Sequence, residues 1–320
     1  METRTNGIWE RWPVHGLSLT DHRGRCRPFP VFLLCGACLA GCLQHRTSWL
    51  SPETPRTAAP SELAPAVELA HEKTGAAGDR EAVEGAVAAW HRVLEIEPAN
   101  LEALVRAGDL ELLLGAGYAT SRREQREHYL ESMRWNERAL YTLPAFRARV
   151  DAGEPLWTAV DAVGNEGMEP MIKWVTAVFY LYGNTLSSLG KVLNVRWLNR
   201  SRRVMERMSA IDPDWGEGVL RFSWGIFYVA LPPVAGGDRA KAAQEIERAL
   251  KLGPDWLLFR WGRGRYLHYE TGNRTGFVDD LEWVVAQDPR QASGPYAWNV
   301  YLQRDARRLL DAVDELFPSR

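Results

Sequence analysis

The sequence predicts an all-α domain built from stacked helix pairs, and three observations predict it. One spacing recurs along the chain. Ala242, Ile246, Ala249 and Pro254 show it first, and it returns as Ala86, Trp90, Val93 and Pro98, as Ser201, Met205, Met208 and Pro213, and as Phe277, Leu281, Val284 and Pro289. A weaker copy is Ser132, Asn136, Ala139 and Pro144. Residues at i, i+4 and i+7 share one helix face, and a proline beyond them stops the helix. The second observation is that periodicity from about residue 64 to Phe317 is almost wholly helical, with no useful run of strand alternation. The third is that Gly108 and Gly264 fall at the same offset after Pro98 and Pro254, where two helices must approach closely.

This spacing is that of the second helix of a tetratricopeptide unit. Such a helix cannot bury its stripe alone, so it requires neighbours of its own kind. The stripe-ending prolines are unevenly spaced, which predicts divergent tetratricopeptide-like pairs with insertions rather than a regular solenoid. The best copy, Leu231 to Pro254, carries its own turn. Pro232 and Pro233 fix φ twice and remove two donors. Gly236 and Gly237 are free to take positive φ. Asp238 offers an acceptor for the first N–H groups of the helix that follows.

Taken in order, residues 1–22 carry no periodic pattern. Arg23, Arg25 and Arg27 then flank a short apolar run, Phe29 to Leu39, well below the ~20 residues needed to span a bilayer. The run ends in Leu39-Ala40-Gly41-Cys42. A basic flank, a short apolar core and small residues before the break describe a secretory signal. The ending resembles the bacterial lipobox, in which the cysteine is acylated and becomes the mature N-terminus. The expected organisation is a signal peptide over 1–42, a proline-rich tether over 43–65 and a helical domain over 66–320. Helices are expected over a pair at 64–97, at 101–116 and at 122–142. An irregular stretch covers 150–169, and a strongly apolar helix follows at 171–190. Further helices are expected near 195–210, 217–231, 239–251, 256–271, 275–287 and 295–316.

The composition excludes several kinds of chemistry. The formal net charge is −2, from 39 basic and 41 acidic residues, which is no electrostatic footprint for nucleic acid. All four cysteines lie at or before Cys42, so the domain has no disulfide and no thiolate site. Gly183 to Val192 looks like a phosphate loop, but its glycines are too far apart and Val192 stands where a hydroxyl should hold magnesium. Gly262-Arg263-Gly264 is half a dinucleotide fingerprint inside a helix. There is no G-x-S-x-G elbow. Of His45, His71, His91, His128 and His268, none pairs with another at helical spacing, so no metal site is expected. The reading is a protein without catalysis, cofactor or metal.

Fourteen tryptophans are many for 320 residues. Their plain use is core filling. Their sharper use is a cavity lined by Trp174, Tyr180, Trp224, Tyr228, Trp261 and Tyr266, with Asn184 or a tyrosine hydroxyl orienting the solute.

The lipobox at Leu39–Cys42, Asp212-Pro213, the Leu231-Pro232-Pro233 turn with Gly236-Gly237-Asp238, Ala249-Leu250 and Asp288-Pro289 together resemble one family. This is the T component of tripartite ATP-independent periplasmic (TRAP) transporters, and the likeness covers about residues 80–315. The resemblance implies a periplasmic lipoprotein held to a bacterial membrane, the outer one favoured, through acylated Cys42. It implies helix pairs packed around a central cavity or pore and association with the substrate-binding P component. It also implies a homo-oligomer, with a trimer as the expected size, and an apolar or amphipathic solute. The alternative is a tetratricopeptide scaffold lipoprotein that docks other proteins and holds no solute.

Mass spectrometry of the membrane fraction should find a diacylglyceryl group on Cys42, because several acyl chains anchor stably where one does not. Cys42→Ala should move the protein out of that fraction. A Cys42→Ala protein still processed and membrane-bound would refute the assignment.

Overall fold

The computed structural model describes His45, residues 60–233 and residues 236–318. The expected signal peptide and Cys42 lie outside the described residues, as does most of the 43–65 stretch. The described part is all helical, apart from one isolated bridge between Trp256 and Ser293.

Four helices open the domain: α1 (Leu63–Ala76), α2 (Arg80–Ile96), α3 (Leu101–Gly117) and α4 (Arg122–Tyr141). Then come the short α5 (Pro144–Asp151) and α6 (Leu156–Ala159), the long α7 (Met168–Thr185), α8 (Ser188–Leu193) and α9 (Arg196–Ile211). The second half holds α10 (Val219–Ala230), α11 (Arg239–Leu252), α12 (Leu257–Gly262), a π-helical turn Arg263–His268, α13 (Tyr269–Thr271), α14 (Arg274–Ala286), α15 (Tyr296–Asp311) and α16 (Val313–Leu316). Consecutive long helices pack as pairs: α1 on α2, α3 on α4, α7 on α9, α10 on α11, and the π turn on α14. Starts are set by local acceptors. Asp79, Asn100, Ser121, Asp238 and Asn273 each cap a helix by accepting a backbone N–H of its first turn.

The stripes behave as their spacing requires. Ala86, Trp90, Val93, Ser132, Asn136, Ala139, Ser201, Met205, Met208, Ala242, Ile246, Ala249, Phe277, Leu281 and Val284 are all buried. In three pairs a glycine on the first helix sits over the middle stripe residue of the second. A Cβ on Gly108 would lie 2.5 Å from Asn136 Nδ2, one on Gly225 would lie 2.5 Å from Ile246 Cγ1, and one on Gly264 would lie 3.3 Å from Leu281. The glycine lets the two backbones close to the distance at which the stripe fills the gap.

The Leu231–Asp238 turn is built from the expected residues. Gly236 has φ +98°, and Gly237 approaches the Leu231 carbonyl so closely that no side chain fits. The Gly236 and Gly237 amides donate to the Pro233 and Pro232 carbonyls at 3.1 Å each. Asp238 accepts from the amides of Ala240 and Lys241 at 3.0 Å.

Four expectations are corrected. Pro144 opens α5 instead of only closing its predecessor, since proline at the first helical position gives up an N–H that would have no partner anyway. The 171–190 helix is two helices: Leu186 is extended, and Ser187 caps α8 by accepting from the Gly190 amide at 3.2 Å. The 256–271 helix contains the π turn. Within the supposed tether, Leu63 already begins α1 after a 3₁₀ turn at Pro60–Glu62. His45 also lies inside the fold: its Nε2 is 2.7 Å from the fully buried Glu137 carboxyl, and its ring meets Trp197 edge-on at 5.9 Å.

The array closes on itself. α15 packs against α1 and α3 as well as α14. One core therefore joins Trp90, Leu104 and Leu113 from the first pairs to Trp261, Phe277 and Leu302 from the last. A second core holds α4, α7 and α9 together through Tyr129, Met133, Trp174, Val178 and Met205.

Two glycine substitutions should therefore move stability in opposite directions. Gly225→Ala forces Ile246 out of place and should cost about 1–3 kcal/mol. Gly85, exposed in mid-α2 with nothing within 4 Å of a Cβ, should gain about 0.5–1 kcal/mol as Gly85→Ala. Chemical denaturation of both variants checks this, and equal shifts would show that the α10–α11 contact is slack.

Candidate solute cavity

Where the array closes it leaves a partly enclosed cavity of about 320 Å³. This is within the range that suits a small organic ligand. Its walls come from α3, α7, α10, α12 with the π turn, α14 and α15. Most of the lining is apolar: Ile172, Phe179, Leu198, Val219, Phe222, Ile226, Leu258, Phe277 and Leu302.

α7 supplies the floor because it is apolar nearly all round. Trp174, Val178 and Leu181 turn into the core, while Ile172, Thr176, Phe179, Tyr180 and Asn184 line the cavity. The opposite wall depends on the π turn. A π-helix brings residues five apart into register, in place of four. Trp261 and Tyr266 show the consequence, their rings meeting edge-on at 5.6 Å with both facing the cavity. Gly262 allows α12 to run against Phe222 of α10, where no side chain could fit.

Polar groups at the wall are tied to one another across long stretches of chain. Asp109 accepts from Lys173 Nζ at 2.6 Å and from the Trp298 indole N–H at 3.0 Å. Arg106 is 3.0 Å from Glu169. Arg265 donates to Asp305, which also accepts from the Trp261 indole at 2.9 Å and from Arg308 at 2.5 Å. Burial alone would raise the Asp305 carboxyl, but Arg265 and Arg308 outweigh it and hold the group below the usual carboxylate range. Burial opposes the charge on Arg265 in the same way, and Asp305 more than restores it. Burial pushes Tyr129, Tyr180, Tyr266 and Tyr301 above the ordinary phenol value, so all four stay neutral O–H groups. Asn184 Nδ2 donates to the Tyr129 hydroxyl at 3.1 Å, and that hydroxyl donates to the Gly115 carbonyl.

Of the aromatic residues expected at a cavity, Tyr180, Trp261 and Tyr266 line it, together with Asn184. Trp174, Trp224 and Tyr228 do not. Trp174 is core, its indole donating to Glu137 at 3.0 Å on the far side of α7. Trp224 stacks on Tyr228 at 5.8 Å and donates to Ser209, which turns both rings away from the cavity. The sequence reading missed Trp215, Trp256 and Trp298, which line the cavity from a loop, from the residue before α12 and from α15. Trp298 meets Asp109 across a separation of 189 residues. No local pattern marks such a contact.

The fold and cavity define a class: an all-α protein of tetratricopeptide-like helix pairs closed around an apolar cavity. The family model described as "TRAP transporter T-component" matches residues 127–317, more than half of the chain, and the chain belongs to this family. Its fold is also similar to the crystal structure of a thermophilic tetratricopeptide protein from Thermus thermophilus. That likeness has 16% identity and a TM-score of 0.45, and it covers 78% of this chain and 97% of the other. None of the curated proteins matches. Membership ties the chain to a TRAP transporter, and no helix among the described residues is long and apolar enough to cross a membrane.

Proposed function

We propose that this T component is a non-catalytic periplasmic lipoprotein, anchored through acylated Cys42, that holds an apolar or amphipathic solute beside the substrate-binding P component of its transporter. One observation carries the solute role: an apolar cavity of about 320 Å³ walled by helices from α3 through α15. A protein that only docked partners would have no use for such a space, because an unfilled apolar cavity is a loss of stability. The family supports the transporter association. On its surface, Leu189 and Val192 stand 67% and 64% exposed at i, i+3 on α8, an apolar contact suited to a protein partner or a second copy.

A cavity-filling substitution tests the solute role without opening a void. Nile red should bind the wild type with a blue-shifted emission. Ile226→Trp, which projects a larger ring from α10 into the cavity, should weaken that binding at least tenfold while the thermal melt stays nearly unchanged. Absence of dye binding in the wild type, or binding indifferent to Ile226→Trp, would leave the scaffold reading in its place.

A further inference from the structure

We infer that the solute is electrically neutral, a hydrocarbon body carrying a hydroxyl or carbonyl head that bonds to Tyr180 and Asn184. This rests on the cavity reading above and narrows it to one chemical class.

The charges at the wall are already matched. The cations lining the cavity are Arg106, Lys173 and Arg265. Each has a carboxylate within the protein: Glu169 at 3.0 Å, Asp109 at 2.6 Å, and Asp305 respectively. Of the lining carboxylates, Asp109 and Glu169 belong to these pairs, and Glu270 lies 3.1 Å from Arg239. A carboxylate, phosphate or ammonium head would therefore leave water and find no counter-ion waiting. Uncompensated charge in an apolar space is strongly unfavourable.

The polar atoms left over are uncharged. Tyr180 lies between Tyr129 and Trp298, with ring centroids at 5.6 and 6.4 Å, and it lines the cavity. Its hydroxyl has no hydrogen-bond partner among the described residues. Asn184 is one turn further along the same face of α7. Its NH₂ is engaged by Tyr129, and no protein donor bonds its oxygen among the described residues. Tyr180 and Asn184 are half-buried at the cavity wall, and a ligand that displaces water from this hydroxyl and this amide oxygen must supply the bond in its place. An alcohol does both at once, accepting from Tyr180 and donating to Asn184. A carbonyl head satisfies the first.

The test uses the full-length lipoprotein with Nile red bound, displaced by decanol or by decanoate at a pH well above the carboxylate range. Decanol should displace the dye at a concentration at least tenfold lower. Tyr180→Phe should raise the decanol concentration required by about three- to tenfold, the worth of one hydrogen bond, while the concentration of decane required, a chain with no head group, stays unchanged. A merely structural tyrosine would alter both. Asp109→Asn, which unpairs Lys173, should improve decanoate relative to decanol by about tenfold. Glu169→Gln, on a half-exposed pair, should do the same if the first variant folds poorly. Decanoate as effective as decanol in the wild type would overturn the inference and leave the cavity reading standing. So would indifference of decanoate to both unpairing variants, or of decanol to Tyr180→Phe. Failure of the dye to bind the wild type would overturn both.

Discussion

The structure depends on the return of α15 to the start of the chain. Tetratricopeptide-like pairs normally need contact only with their neighbours, and an array of them can remain open. Here Leu302, Ala306 and Leu309 of α15 share a core with Ala103, Leu104 and Val105 of α3, and Tyr301 packs over Gly117. That contact converts a row of pairs into a closed wall. The cavity is what remains inside, since helices that meet at both ends cannot also fill the middle with side chains of ordinary size.

Polar groups secure the closure where apolar ones cannot reach. Asp109 on α3 binds Lys173 from α7 and Trp298 from α15, so one carboxylate holds three helices at the cavity edge. Asp305 does the same for α15 and the π turn through Trp261 and Arg265. Such pairs gain little net stability against an apolar alternative, but they fix geometry. They also leave the cavity without a free charge. Glu137 repeats the theme in the second core, where it takes Trp174 from α7 and His45 from near the start of the chain. The domain is therefore engaged by a residue from the stretch expected as a tether.

Much of this was legible in the sequence. The stripes Ala86-Trp90-Val93 and Ala242-Ile246-Ala249 are local, their period is that of a helix, and burial follows from the period. The glycines at 108 and 264 could be read for the same reason, as could the Gly236-Gly237 turn. What could not be read depends on contacts between distant segments. Trp174 and Tyr180 occupy one helix with equal aromatic character, yet one is core and the other faces the cavity, because α4 and α9 cover one side of α7 while the cavity lies on the other. The π turn leaves no periodic trace, since one widened turn within fifteen residues is hidden by the helices either side. The break before α8 is different in kind: Ser187 is a capping residue, so its cue is local even within an apolar run.

The most direct measurement of the closure is hydrogen exchange on Leu302→Ala. Truncating this buried leucine of α15 should cost about 2–5 kcal/mol. In a closed array the loss of protection should spread to the α2 and α3 amides around Trp90 and Leu104, as strongly as to those of α14. Protection lost in α14 and α15 alone, with α2 and α3 as slow to exchange as in the wild type, would show an open array and contradict the account.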